Sequence, residues 1–218
     1  MDVVILAGGK STRMEDILPK PMVPVRGKPV LFYQIDYFKD KVDNIIISVG
    51  HRYQEIIDFV NSNYPDNNIK FCIENEPLGT AGGIKKALLM SSSDKVIVLN
   101  CDDITDINIK DLENLSENSV CVAHPMLPFG LIKEVDGYGK FVEKPVLNDW
   151  VNCGWYFFIR SDILKHLPDK GSIEYDVFPK INFRMFKHLG FWKPVNNKKD
   201  ISEFEKADLP EVIKVLIK

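Results

Sequence analysis

The chain has 218 residues, 45% of them hydrophobic and 27% charged, with a formal net charge of −3. That length and balance suit one globular domain of enzyme size, or one domain with a small appendage. Interspersed charges of both signs argue against nucleic acid as the main partner, and no apolar run is long enough to span a membrane.

The first apolar run, Val3-Val4-Ile5-Leu6, leads through Ala7 into Gly8-Gly9 and predicts a buried strand ending at a tight turn. Such a turn aims successive N–H groups at one point. Ser11 and Thr12 add hydroxyls, and Arg13 and Lys20 add cations, so the segment reads as a polyphosphate cradle. Gly-Gly alone would read as an ordinary solvated turn; the two cations favour the phosphate. Neither G-x-x-x-x-G-K-[ST] nor G-x-G-x-x-G is present, which excludes a P-loop and a dinucleotide fingerprint in this turn.

Beyond the turn, helical spacing at 29–40, 52–64 and 80–90 alternates with apolar strand runs at 44–49, 69–73 and 96–99. Repeated βα units of this kind predict a Rossmann-like α/β fold, a mostly parallel sheet wrapped by helices, with ligands outside the carboxyl ends of the strands. After residue 118 the pattern changes. Strands are expected at 120–123, 131–135, 140–143 and 151–159, with a hairpin turn at Asp136-Gly137. Helices follow at 172–181 and 200–217, the latter interrupted at Pro210. This half reads as a smaller, mixed-β lobe.

The four cysteines form no C-x-x-C and the four histidines are scattered, so buried thiols in a reducing cytoplasm are expected, without a zinc site. The start, Met1-Asp2, reaches Gly8 too soon to read as a signal peptide.

Three further stretches carry chemistry. Glu74-Asn75-Glu76-Pro77-Leu78-Gly79-Thr80-Ala81 joins a strand end to a helix start; its small residues leave room for a flat ring, and Glu74 is an acceptor for an amino-bearing base. A capped loop explains the same residues equally well, with Thr80 as N-cap. Asp102, at the end of an apolar strand opposite the cradle, is placed to hold Mg²⁺; an Asp-Asp loop opening is the plainer alternative. Glu143-Lys144 follows a hairpin strand, where a salt bridge of little worth is the default reading.

These motifs together resemble the sugar-phosphate nucleotidyltransferases, and are closest to mannose and heptose 1-phosphate guanylyltransferases. Ala7-Gly8-Gly9 through Arg13, then Pro19-Lys20-Pro21, is similar to that family's A-G-G-x-G/S-T-R followed by P-K-P. The resemblance implies that Leu6 to Gly9, Ser11, Thr12, Glu74, Pro77, Gly79, Thr80 and Ala81 bind the nucleotide. It makes Arg13, Lys20 and Asp102 catalytic, with Asp102 the metal ligand. Glu143-Lys144-Pro145 resembles the family's E-K-P, Phe129-Gly130-Leu131 its F-G-V/L, and Asn152-Cys153-Gly154 its N-A-G. With Glu174, in a segment like S-x-E-x-D-x-F-P, these imply sugar-phosphate contacts at Gly130, Glu143, Lys144, Asn152, Gly154 and Glu174. One departure matters. The family's second metal Asp, in W-x-D-x-G-T, falls at Pro194; Asn196 aligns instead with the Asp of a cytidylyltransferase variant, leaving Asp103 or substrate phosphates to complete the site.

The expected arrangement is one domain over residues 1–218, with 1–118 serving the nucleotide and 119–218 the sugar phosphate. The implied reaction transfers a nucleotidyl group from an NTP to a sugar 1-phosphate with Mg²⁺ in the cytoplasm; a homo-oligomer is compatible, and nucleic acid or membrane partners are not expected. GTP leads because a carboxylate at Glu74 accepts from ring and amino N–H groups, and CTP follows. The alternatives are a cytidylyltransferase acting on a sugar or alcohol phosphate, and a catalytically weak nucleotide-sugar-binding regulator.

Overall fold

A computed structural model describes residues 1–9 and 18–217 of the chain. Its first half runs β1 (Asp2–Leu6), the short strands β2 (Pro24–Val25) and β3 (Lys28–Pro29), α1 (Val30–Phe38), β4 (Ile45–Val49), α2 (Tyr53–Asn63), β5 (Ile69–Ile73), α3 (Gly79–Leu88) and β6 (Lys95–Asn100). Then come β7 (Asp103–Thr105), α4 (Ile109–Glu113), β8 (Ser119–Ala123), β9 (Leu131–Val135), β10 (Tyr138–Val142), β11 (Val151–Ile159) and α5 (Arg160–Ile163). The chain closes with β12 (Arg184–Lys187), β13 (Trp192–Pro194), α6 (Lys198–Lys206) and α7 (Glu211–Ile217).

Seven strands form the main sheet in the order β12-β8-β11-β6-β1-β4-β5. β1 lies at its centre, parallel to both β4 and β6. Strands buried on both faces need apolar side chains on both, which is why the core of β1 is an unbroken Val3-Val4-Ile5. Val3 and Ile5 pack on one face with α1, α2 and α6, while Val4 packs on the other with α3. From β1 the chain winds outward through β4 to β5, then returns to place β6 on the far side of β1. The order therefore reverses between β1 and β6, where open α/β sheets leave a crevice.

Residues beyond 118 divide between two settings. β8, β11 and β12 extend the main sheet, with β11 antiparallel to both its neighbours. β9 and β10 form a separate antiparallel hairpin whose turn is Asp136-Gly137, both in left-handed backbone. Several short elements lack a sequence signal: β7, β13, α4, α5 and β12 are each three to five residues long. The helix expected over 172–181 is instead a π-turn, Ile173–Val177, followed by a 3₁₀ turn, Phe178–Lys180. Pro179 supplies no N–H to continue an α-helix there. Around Pro210 the C-terminal run splits as expected, into α6 and α7. Among the described residues no helix is long and apolar enough to cross a membrane.

Candidate active site

A cleft of about 640 Å³ opens at the carboxyl ends of β1, β4, β5 and β6. It brings together Leu6, Ala7, Gly8 and Gly9 from the first turn, Lys20 from the next loop, Glu74, Pro77, Gly79 and Thr80 from the loop after β5, and Asp102 after β6. Sequence reasoning missed Gly50, His51 and Asn100 on the same wall. The signal was positional, since each stands at or just past the end of a central strand. Ser11, Thr12 and Arg13 lie outside the described residues. Ala81 is fully buried in α3 and is absent from the lining.

Lys20 and Asp102 form an ion pair across this cleft, and Lys20 Nζ also donates to Asn196 Oδ1 at 3.1 Å. The main-chain carbonyls around Asp102 are held from several sides. The buried Gln34 amide donates to the carbonyls of Cys101 and Asp103 at 3.2 and 3.0 Å, the Trp155 indole donates to Asp103 O at 3.0 Å, and Val195 N donates to Asp102 O at 2.9 Å. Asp102 thus sits on a loop fixed by α1, β11 and the segment carrying Asn196.

Asp103 does not share the site. Its carboxylate is buried away from the cleft, accepting from the Trp192 indole at 2.9 Å and from Asn100 Nδ2 at 3.2 Å. Burial pushes this carboxyl up to about 7, with the charge of Asp102 adding to the effect and the Trp192 and Asn100 hydrogen bonds opposing it. The expectation that Asp103 completes a metal site therefore gives way to a structural role. Pro194 pairs with Asp103 along β13 and β7, so its place is also structural, and the side chain from this segment that reaches Lys20, the partner of Asp102, is Asn196. Asn196 and Asp102 offer oxygen donors that already converge on one cation, the Lys20 ammonium, and hard oxygen donors suit Mg²⁺. Among the described residues no three His, Cys, Asp or Glu side chains gather as a metal site.

The loop after β5 is anchored at both ends. Glu74 accepts from Ser48 Oγ at 2.7 Å and from Leu78 N at 3.3 Å. At the far end Gly79 has φ +73, and any Cβ there would run into the Gly171 carbonyl. Gly171 in turn bonds the backbone of Leu78 and Ala81 at 2.8 and 2.9 Å. Thr80 Oγ1 donates to Glu174 at 3.0 Å and accepts from Ile173 N at 2.8 Å. Glu174, expected at the sugar, is therefore tied to the loop after β5.

None of the six sugar-phosphate candidates lines the cleft. Lys144 has a left-handed backbone, φ 41, and its Nζ stands 3.6 Å from Glu203 on α6. Glu143 is exposed beside it. Gly130 lies under the Phe141 ring. Asn152 spends its amide on the fold, donating to Tyr156 OH at 2.8 Å and accepting from Gly154 N at 2.9 Å, where β11 shifts register against β8. Gly154, φ +74, has room for no Cβ because the Asp103 carboxylate packs against it.

All four cysteines are free and buried. Burial raises every one of the four thiols, that of Cys153 to about 12; Asp102 adds to the effect at Cys101, which lines the cleft. A thiol held protonated is a poor nucleophile.

Known proteins are similar to this chain in sequence and in fold. The D-glycero-α-D-manno-heptose 1-phosphate guanylyltransferase of Aneurinibacillus thermoaerophilus is 33% identical over 208 residues, covering 88% of this chain and 89% of its own. The mannose-1-phosphate guanyltransferase of Gibberella zeae is 31% identical over 226 residues; the match covers 92% of this chain and 62% of that protein. The crystal structure of HddC from Yersinia pseudotuberculosis complexed with GMP-PN superimposes with a TM-score of 0.77 at 30% identity, covering 94% of this chain and 98% of that one. Residues 3–123, which carry the glycine turn, Lys20, the Glu74 loop and Asp102, match the MobA-like NTP transferase domain, and the chain belongs to that family.

Proposed function

We propose that the protein transfers a guanylyl group from GTP to a sugar 1-phosphate, releasing pyrophosphate and giving a GDP-sugar. The observation that carries this reading is the Lys20–Asp102 pair on the wall of a cleft that also holds the glycine turn and the Glu74 loop, with Asn196 bonded to Lys20 from behind that wall. Two relatives of 31% and 33% identity are guanylyltransferases of sugar 1-phosphates, and the similar solved structure is a complex with GMP-PN.

The acceptor phosphate is already an oxyanion, so it attacks the α-phosphorus directly and needs no protein nucleophile. The raised cysteine thiols agree with that. Catalysis then rests on alignment and charge stabilisation. The backbone N–H groups of Gly8 and Gly9 face the triphosphate, and Lys20 with Arg13 offsets the charge that builds on the pyrophosphate leaving group. Asp102, with the Asn196 amide oxygen, would hold Mg²⁺. When bound, that ion supplies Lewis-acid polarisation of phosphate oxygens and a template for both substrates. Lys144, which lies outside the cleft lining beside Glu203, would meet the acceptor phosphate once that substrate is bound. In this division residues 1–118 serve the nucleotide and 119–218 the sugar phosphate; a cleft lined wholly by residues 6–102 supports the first half of it. Four free buried cysteines suit a reducing cytoplasm.

Pyrophosphate release measured with Mg²⁺, each of four NTPs and a panel of sugar 1-phosphates tests the reading. GTP should be used best and CTP next. A preference for UTP or dTTP, or no turnover with any sugar 1-phosphate, overturns it.

A further inference from the structure

β4 is an apolar strand, Ile45-Ile46-Ile47-Ser48-Val49, and Ser48 is its one polar residue, fully buried. A buried hydroxyl without a partner costs free energy, so its bond is informative. Ser48 Oγ donates to Glu74 Oε1 at 2.7 Å, while Glu74 Oε2 accepts from Leu78 N at 3.3 Å. Two glycines close around the same oxygen. A Cβ on Gly83 would stand 2.8 Å from Oε1, and one on Gly8 would stand 3.1 Å from it. The carboxylate is thus inserted between the first turn and α3, with Oε1 enclosed by Ser48, Gly8 and Gly83. That leaves Oε2 and the backbone of the loop for the cleft.

We infer that Ser48 is a positioning residue for nucleotide recognition: its hydroxyl fixes the Glu74 carboxylate and, through Leu78 N, the shape of the loop that meets the base. The inference rests on the guanylyl-transfer reading of the cleft. Ser48 touches no substrate and acts through Glu74. Removing its hydroxyl leaves Oε1 an enclosed acceptor without a donor among the described residues, so the carboxylate turns and the loop moves with it.

Steady-state kinetics of Ser48→Ala supplies the test. KM for GTP should rise about tenfold, the factor that one lost hydrogen bond of ordinary strength gives, with kcat and the KM for the sugar 1-phosphate nearly unchanged. In a Glu74→Ala background the same substitution should add nothing further, because the two residues act as one unit. Gly83→Ala is a second probe: it favours the helix by propensity but drives a Cβ against Oε1, so KM for GTP should rise while Tm holds. An unchanged KM for GTP in Ser48→Ala or Gly83→Ala overturns the inference, as do effects of Ser48 and Glu74 that simply add. A wild-type enzyme that ignores GTP overturns the guanylyl reading instead, and is seen before any variant is made.

Discussion

Lys20 and Asn196, 176 positions apart, meet at 3.1 Å, with the Lys20 ammonium donating to the Asn196 amide oxygen while it pairs with Asp102. One cation thus holds the loop after β1 against the loop after β13. If that cation acts on the triphosphate, Lys20→Ala should lower kcat/KM by about 10²–10³-fold, as losing one preorganised donor to developing charge does. Initial rates in both directions measure it. A loss confined to sugar-phosphate affinity assigns Lys20 to the wrong ligand.

Asn196 stands where a carboxylate would give the site a second negative charge. Asn196→Asp should therefore lower the Mg²⁺ concentration needed for half-maximal rate, since ligand charge tunes the affinity of hard cations. Asp102→Asn should do the reverse and cut kcat at least about a hundredfold, with the fold intact by circular dichroism. A Mg²⁺ titration of rate for both variants checks the pair. An Asp102→Asn enzyme within a few-fold of wild type at saturating Mg²⁺ removes Asp102 from the chemistry.

The contrast between these loops and the rest of the chain shows what the sequence makes legible. Val3-Val4-Ile5 at the head of Gly8-Gly9 is local, and the βα alternation beyond it is periodic, so the parallel half of the sheet and the cleft at its edge can be read directly. Asp102, Lys20 and Glu74 belong to the same local grammar. Gln34, Trp155 and Trp192 do not: they hold the Asp102 loop from 52 to 89 residues away, and in sequence they read as ordinary core. The same blindness left Asn152 among the expected sugar-phosphate contacts. Its partners, Tyr156 and Gly154, are near in sequence, but only the register shift of β11 against β8 makes them partners. Asp103 misled for a related reason, since adjacency to Asp102 says nothing of which way its carboxylate faces where the loop passes into β7.

Lys144 and Asn152 consequently separate. Lys144→Ala should raise KM for the sugar 1-phosphate about tenfold through loss of a charge-assisted phosphate contact, leaving KM for GTP alone. Asn152→Ala gives up two hydrogen bonds in the fold, about 1–2 kcal/mol, or a Tm lower by about 2–8 °C. Kinetics and calorimetry on both variants distinguish the roles. A large sugar-phosphate KM effect in Asn152→Ala with unchanged Tm returns that residue to the substrate.

Asp2 offers a prediction about pH that does not involve the site. It opens β1, fully buried, with Oδ1 accepting from Asn44 Nδ2 at 2.8 Å and Oδ2 from Ser91 Oγ at 2.7 Å. Burial pushes its carboxyl up, but the hydrogen bonds from Asn44, Ser91 and their neighbours outweigh it and leave it below the ordinary value of 3.8. A folded pKa below the unfolded one means folding favours the charged form. Its contribution is present above about pH 4 and is lost as the pH falls through the folded value. Asp2→Asn keeps the shape, and Ser91 Oγ can turn to accept from the new amide, so only the part that depends on charge is removed. At pH 7 the variant should melt lower by about 2–4 °C, equivalent to about 1 kcal/mol for a chain of this size. The two melting curves should draw together as the pH falls below about 4 and the wild-type carboxyl also takes up its proton. Tm measured from pH 3 to pH 7 decides it: a gap that stays constant with pH means Asp2 acts through packing and not through its charge.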